Sequence, residues 1–175
     1  MKLSEVKIGK TFSVAGIEFI KFMDENGVCA AVSKDILFHS EFGKNNNFAK
    51  STVLEKLSKD ILPKLEAEVG TENIKEFELD LTSLDGLDTY GKIKTKIGLP
   101  TFDFYRKNVR IFDKYKLDDW WWTATPDTTK EHANDYWITS VSPHGRIYDF
   151  NYDDGNFGVR PFLFFVSSIS VSCEE

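Results

Sequence analysis

Apolar and polar residues alternate with period two near the start of the chain. Thr11-Phe12-Ser13-Val14 is followed by Ala15-Gly16 and then by Ile17-Glu18-Phe19-Ile20-Lys21-Phe22. This is the spacing of strands whose side chains point alternately to two faces. Asp24-Glu25-Asn26-Gly27 carries a strong turn signal before the returning run Val28-Cys29-Ala30-Ala31-Val32. The pattern predicts a β-rich meander over 6–37 with one buried face. Residues 38–50 are polar around Gly43-Lys44-Asn45-Asn46-Asn47 and predict a loop.

At Ser51 the period becomes helical. Leu54, Leu57, Ile61, Leu62 and Leu65 fall on one face, Ser51 is placed to cap, Pro63 should kink or break the helix, and Gly70 should end it. A helix near 51–69 is expected, then strands over 74–81 and 93–99. A second helix is expected over 101–116. Thr101 caps it, Asp103 favours its positive end, and Phe104, Val109, Ile111 and Phe112 supply apolar contacts. From 120 to 171 the chain reads as a Trp-rich β region, with strands over 120–125, 136–141, 145–150 and 159–166. Strands and helices do not alternate regularly, so the expected class is α+β with mostly antiparallel pairing and one domain over 1–175.

Composition sharpens this in two ways. Fifteen Phe, six Tyr and four Trp make 14% of the 175 residues, so large flat side chains should dominate the core. The net charge of −6 is unevenly spread. Residues 1–119 are nearly balanced, whereas 120–175 carry only Lys130, Arg146 and Arg160 against eight acids. Phosphate neutralisation needs the opposite sign, so direct nucleic-acid binding is not expected; an acidic surface suits a basic protein partner or a cation, and is otherwise simply solvated. Cys29 and Cys173 are far apart and suggest no disulfide framework. No apolar run approaches the ~18 residues that span a bilayer, and the N-terminus has no apolar leader core. The expected compartment is a reducing cytoplasm.

Catalytic and metal motifs are missing. The run Asp149-Phe150-Asn151-Tyr152-Asp153-Asp154 starts like an EF-hand loop. However, Asp154 stands where that loop needs Gly, and Arg160 stands where it needs Glu. His39, His132 and His144 are scattered, and Cys29 sits in a strand as a small apolar residue. No phosphate loop, nucleophile elbow or zinc-protease helix occurs. No catalytic residue, metal or cofactor is expected.

The last third carries a more particular pattern. A Trp-rich strand ends in Ala124-Thr125-Pro126, a Tyr136-Trp137 strand follows, and Ser142-Pro143-His144-Gly145 forms a turn. A polar and aromatic stretch then leads to Gly158-Val159-Arg160-Pro161 and an apolar strand. This resembles an uncharacterised family of bacterial and phage proteins with a C-type-lectin-like fold. That family is distantly related to formylglycine-generating (sulfatase-modifying) enzymes and to hypervariable phage ligand-binding proteins. The resemblance implies the fold but not the enzyme chemistry, since the paired active-site cysteines have no counterpart here. The Glu-Pro-Asn and Trp-Asn-Asp motifs of calcium-dependent lectins are also absent. In the hypervariable relatives the corresponding segment faces the ligand. The resemblance thus implies a binding surface at Tyr148, Phe150, Asn151, Tyr152, Asp153, Asp154, Asn156 and Phe157, mounted on a hairpin.

Structural roles are expected nearby. Trp121 and Trp137 should point inward. Trp120 and Trp122 share the opposite face, so the three cannot all be buried unless both faces are covered. Gly158 should supply a backbone conformation closed to other residues, Pro161 a position without an N–H, and Arg160 a fork for carbonyls or a carboxylate. The expected function is non-catalytic recognition of a macromolecule by a phage- or mobile-element-encoded protein. One form is an acidic inhibitor of a host defence protein. The alternatives are a virion receptor-binding or glycan-binding protein and, less favoured, an enzyme of the formylglycine-generating type.

Overall fold

The computed structural model describes residues 1–173 and is α+β, with strands paired mostly antiparallel. One sheet has the order β1-β2-β3-β12-β5, formed by β1 (Thr11–Val14), β2 (Ile17–Glu25), β3 (Val28–Ser33), β12 (Phe162–Val166) and β5 (Ile74–Lys75). The second has the order β10-β9-β8-β11-β4. Its strands are β10 (Ile147–Asn151), β9 (Trp137–Val141), β8 (Trp121–Pro126), β11 (Phe157–Val159) and β4 (Phe38–Ser40). A two-stranded ribbon joins β6 (Phe77–Asp80) to β7 (Lys92–Thr95).

The first meander forms as its turn chemistry dictates. Asn26 and Gly27 take φ of 52° and 76°, the left-handed pair that a tight β2–β3 turn requires. Its expected single buried face is corrected, because Phe19, Ile20, Lys21 and Phe22 are all buried along β2. One face of this sheet joins Phe12, Phe19 and Phe165 to Val53, Leu57 and Leu65 of the first helical segment. The other joins Ile20, Phe22, Ala30, Val32 and Phe162 to Tyr105 and Phe112 of the second. Alternating character in the sequence marked strands but could not show that both faces would be covered. Lys21 is tolerated inside because its Nζ donates to Leu3 O (2.9 Å), Val6 O (2.8 Å) and Asp24 Oδ2 (2.6 Å).

The helices differ in detail from their expectation. Ser51 caps α1 (Thr52–Lys56) by accepting from Leu54 N at 3.0 Å. Pro63 does not break the chain's helical course. The helix widens into a π-turn at Leu57–Ile61, where Leu62 N donates to Leu57 O, and resumes as α2 (Leu62–Val69) with Pro63 in its first turn. A proline lacking its N–H costs little there. Gly70 ends α2 at φ 92°. Thr101 caps α3 (Phe102–Lys107), but Asn108 breaks the expected single helix at φ −120°, ψ 16° before α4 (Val109–Phe112). The Asn108 side chain donates to Phe104 O (2.8 Å), a local bond that competes with helix continuation. Val109, expected to pack, is instead exposed.

Residues 38–50 are more than a polar loop. β4 pairs with β11, Phe42 and Phe48 are fully buried, and Asn46 is an internal anchor. Its side chain donates to Thr128 O (2.9 Å) and Trp137 O (3.1 Å) and accepts from Tyr90 Oη (2.5 Å). The expected strand over 74–81 splits, with β5 in the large sheet and β6 in the ribbon.

Candidate binding surface

Both faces of β8 are covered. Trp121 lies against Tyr105 and Phe112, with ring centroids 5.7 and 5.6 Å away. Trp122 points oppositely into the main core. Its Nε1 donates to Ser40 O at 2.8 Å, and its ring meets Phe42 at 5.6 Å and Phe157 at 4.5 Å. Trp120, just ahead of the strand, is half-buried between Tyr148 (5.1 Å), Phe150 (4.9 Å) and Phe157 (5.8 Å). Trp137 departs from its expected inward role. It opens β9 opposite Asn151, beyond the stretch where the following four residues are buried, and stays 36% exposed.

Gly158-Val159-Arg160-Pro161 carries the chain from one sheet to the other. Arg160 is 1% exposed, and its guanidinium donates to Ser33 O (3.0 Å) and Lys34 O (2.9 Å) while covering the Trp121 ring at 4.9 Å. Burial pulls it down to about 10, offset in part by Asp35, so it remains charged at neutral pH. The fork therefore holds carbonyls, one of the two expected roles. Gly158 has a different reason from the expected one: it is not among the glycines with positive φ. A β-carbon there would lie 2.3 Å from Ile36 Cδ1, so glycine is required by close approach. The Pro161 carbonyl accepts from Ser33 N at 3.0 Å.

The hairpin expected to carry residues 148–157 is not formed. β10 pairs with β9, whereas β11 pairs with β4 and, at Gly158, with Trp121 of β8. The true hairpin is β9–β10, closed at Ser142-Pro143-His144-Gly145, where Gly145 N donates to Ser142 O at 2.8 Å and Gly145 takes φ 77°. After β10 the chain turns, with Asp154 N donating to Asn151 O (3.0 Å), and crosses to the far side of β8 because Phe157 packs on Trp122.

This divides the eight expected surface residues. Phe150, Tyr152 and Phe157 are half-buried against the main core, with Phe150 and Phe157 at 4.8 Å. Asn151 is half-buried and bonded within the turn. Tyr148 (40% exposed), Asp153, Asp154 and Asn156 face solvent. Tyr136 (49%) and Trp137 were missed as surface residues. The signal was present, since a turn at 142–145 forces Trp137 opposite Asn151 and brings Tyr136 beside Tyr152 at 6.4 Å. Three of the seven large apolar side chains exposed among the described residues thus lie on or beside β9 and β10.

The electrostatics at this edge are negative. Asp149 is exposed on β10, and its charge, with that of Asp85, adds to burial in raising the Asp127 carboxyl above its usual value. Asp85 itself is held down to about 2 by hydrogen bonds from Ser83 Oγ and Thr128 Oγ1 (2.6 Å) and by His132, whose Nδ1 is 2.7 Å away. Thr128 Oγ1 also lies 3.3 Å from His132 Nδ1, but both groups are nearer the Asp85 carboxylate, so the arrangement is a clasp between two loops. His39 similarly contacts Asp119 at 2.7 Å. Burial pushes the Cys29 thiol up to about 11, which keeps it protonated. Open recesses of about 290 and 360 Å³ lie elsewhere. The Arg106 guanidinium that lines the first is bound to Asp103 at 2.6 Å, and Lys56 in the second donates to Ser40 Oγ at 3.0 Å.

Among the described residues no group of three His, Cys, Asp or Glu is placed to hold a metal ion, and no helix is long and apolar enough to cross a membrane. Comparison with protein-family models, curated proteins and solved structures finds no match to this chain.

Proposed function

We propose that the chain is a non-catalytic, C-type-lectin-like binding module, phage- or mobile-element-encoded, that recognises a basic protein through the β9–β10 edge and the 152–156 turn. The observation that supports this best is the placing of Tyr148. It stands 40% exposed on a strand at the open end of a sheet, braced from below by Trp120 at 5.1 Å, with Asp149 exposed on the other face of the strand and Asp153 and Asp154 exposed in the turn that follows. An aromatic anchor held rigid beside polar, charged groups is the arrangement of an interaction hot spot. A cytoplasmic inhibitor of a host defence protein fits this chemistry. A glycan platform fits less well, because Arg146 already sits over the Tyr148 ring at 5.7 Å, where a sugar would stack.

The test is capture from a cell lysate on the wild-type protein beside the Asp153→Asn/Asp154→Asn variant. A basic protein should be recovered, and its association with the variant should be slower and less salt-dependent. Equal association rates and equal salt slopes would overturn the reading.

A further inference from the structure

The backbone of β10 has a side that nothing in the fold uses. At one end of the β9–β10 hairpin Ser142 N donates to Arg146 O (2.9 Å), and at the other Tyr152 N donates to Tyr136 O (2.8 Å). Antiparallel pairing alternates, so Tyr148 and Phe150, in step with Arg146 and Tyr152, direct their N–H and C=O groups at β9. Ile147, Asp149 and Asn151 direct theirs outward. The turn satisfies Asn151, whose N donates to Asp154 Oδ2 (3.3 Å) and whose O accepts from Asp154 N (3.0 Å). No such partner occurs for the outward groups of Ile147 and Asp149 among the described residues.

Several other edges among the described residues are blunted. β1 takes Ser172 alongside Ser13, β5 is two residues long and β4 three. β7 carries Lys92 and Lys94, the charged decoration that natural edges use against unwanted pairing. β10 is five residues long and has no lysine. It offers Tyr148 on the Trp122 face of the sheet and Asp149 on the Trp121 face, where Asp127 adds negative charge.

We infer that β10 is a docking edge for an extended segment of a partner protein, which adds as a further strand and alternates basic residues over Asp149 with apolar residues over Tyr148. Main-chain bonds to Ile147 and Asp149 supply register, and the two faces supply selectivity. This rests on the binding-module reading above and specifies how that surface is used.

The probe is a capped peptide of about eight residues alternating lysine and valine, the length of an ordinary strand. A glutamate-for-lysine version is the control. Titration should give saturable binding for the lysine peptide alone. Amide hydrogen exchange should slow at Ile147 and Asp149, while Tyr148 and Phe150 are already protected. Asp149→Pro removes the outward N–H together with the carboxylate and should weaken binding about tenfold or more while the fold is kept. Asp149→Lys leaves the backbone donor in place, reverses the charge, and should weaken binding similarly should the proline variant fold poorly.

No saturable binding, or equal binding of the glutamate peptide, overturns the inference. So does binding that leaves the Ile147 and Asp149 amides unprotected. Protection of those amides on raising protein concentration alone also overturns it, because the occupant would then be a second copy of this chain. In each case the broader reading is judged separately, by whether Asp153→Asn/Asp154→Asn alters capture of the lysate partner.

Discussion

The Arg160 guanidinium lies 4.9 Å from the Trp121 ring centroid and 5.4 Å from that of Phe112, while donating to the carbonyls of Ser33 and Lys34. One side chain thus ties the end of β3 to the core between β8 and α4. Arg160→Ala should cost about 3 kcal/mol or more, because it leaves buried carbonyls without donors and opens a void. Arg160→Lys should recover only part of this, since an ammonium cannot reproduce the planar fork. Denaturant unfolding measures both. A loss below about 1 kcal/mol for the alanine variant would refute the structural role.

Gly158 and Ile36 form a second constrained pair. Gly158→Ala should destabilise by about 1–3 kcal/mol through overpacking, given the 2.3 Å approach of a β-carbon to Ile36 Cδ1. Ile36→Ala should be mildly destabilising by itself, and the double variant should be more stable than the sum of the two losses. A double-mutant cycle with no coupling would show that glycine is needed for another reason.

The aromatics of the binding surface should separate by role. Phe157→Ala removes contacts to Trp122, Trp120 and Phe150 and should cost about 2–4 kcal/mol of stability. Tyr148→Ala should change stability by about 0.5 kcal/mol or less. Similar losses in the two variants would place Tyr148 in the core and remove it from the surface.

How much of this was legible beforehand depends on the distance over which each feature is set. Caps and turns are local, and Ser51, Thr101, Asn26-Gly27 and Gly70 act as their residue types require. What covers the second face of a strand is decided by segments far away in the chain, so β2 and β8 could not be read as buried on both faces. The hairpin expected to carry residues 148–157 did not form, because turn residues specify only the reversal and not the strand that pairs next. Phe157 packing on Trp122 decided where the chain went next. For the same reason the eight residues differ in exposure. Tyr148, Asp153, Asp154 and Asn156 are exposed, whereas Phe150, Tyr152 and Phe157 were drawn toward the core.

The loop clasp at Asp85 should give the protein an acid-sensitive element. Its folded-state value near 2, set by Ser83, Thr128 and His132, lies below the ordinary aspartate value of about 3.9. A depressed carboxylate contributes stability above its unfolded value and loses it as pH falls through the folded one, here between about pH 4 and pH 2. Asp85→Asn should lower stability at pH 7, where the carboxylate's contribution is fully present, and should flatten the loss over that window. Side-chain NMR titration reads the group directly, and a midpoint at or above 3.9 would contradict the clasp.

The central claim is that the Tyr148 edge recognises a protein, and it is tested most directly by one ratio. The lysate partner is purified, and its dissociation constant is measured by calorimetry for wild-type protein and for Tyr148→Ala, with equal thermal melting confirmed first. A hot-spot tyrosine predicts a constant raised about thirtyfold or more, which corresponds to about 2 kcal/mol. Constants within about twofold of each other, with the fold intact, would mean that the partner binds elsewhere on the molecule.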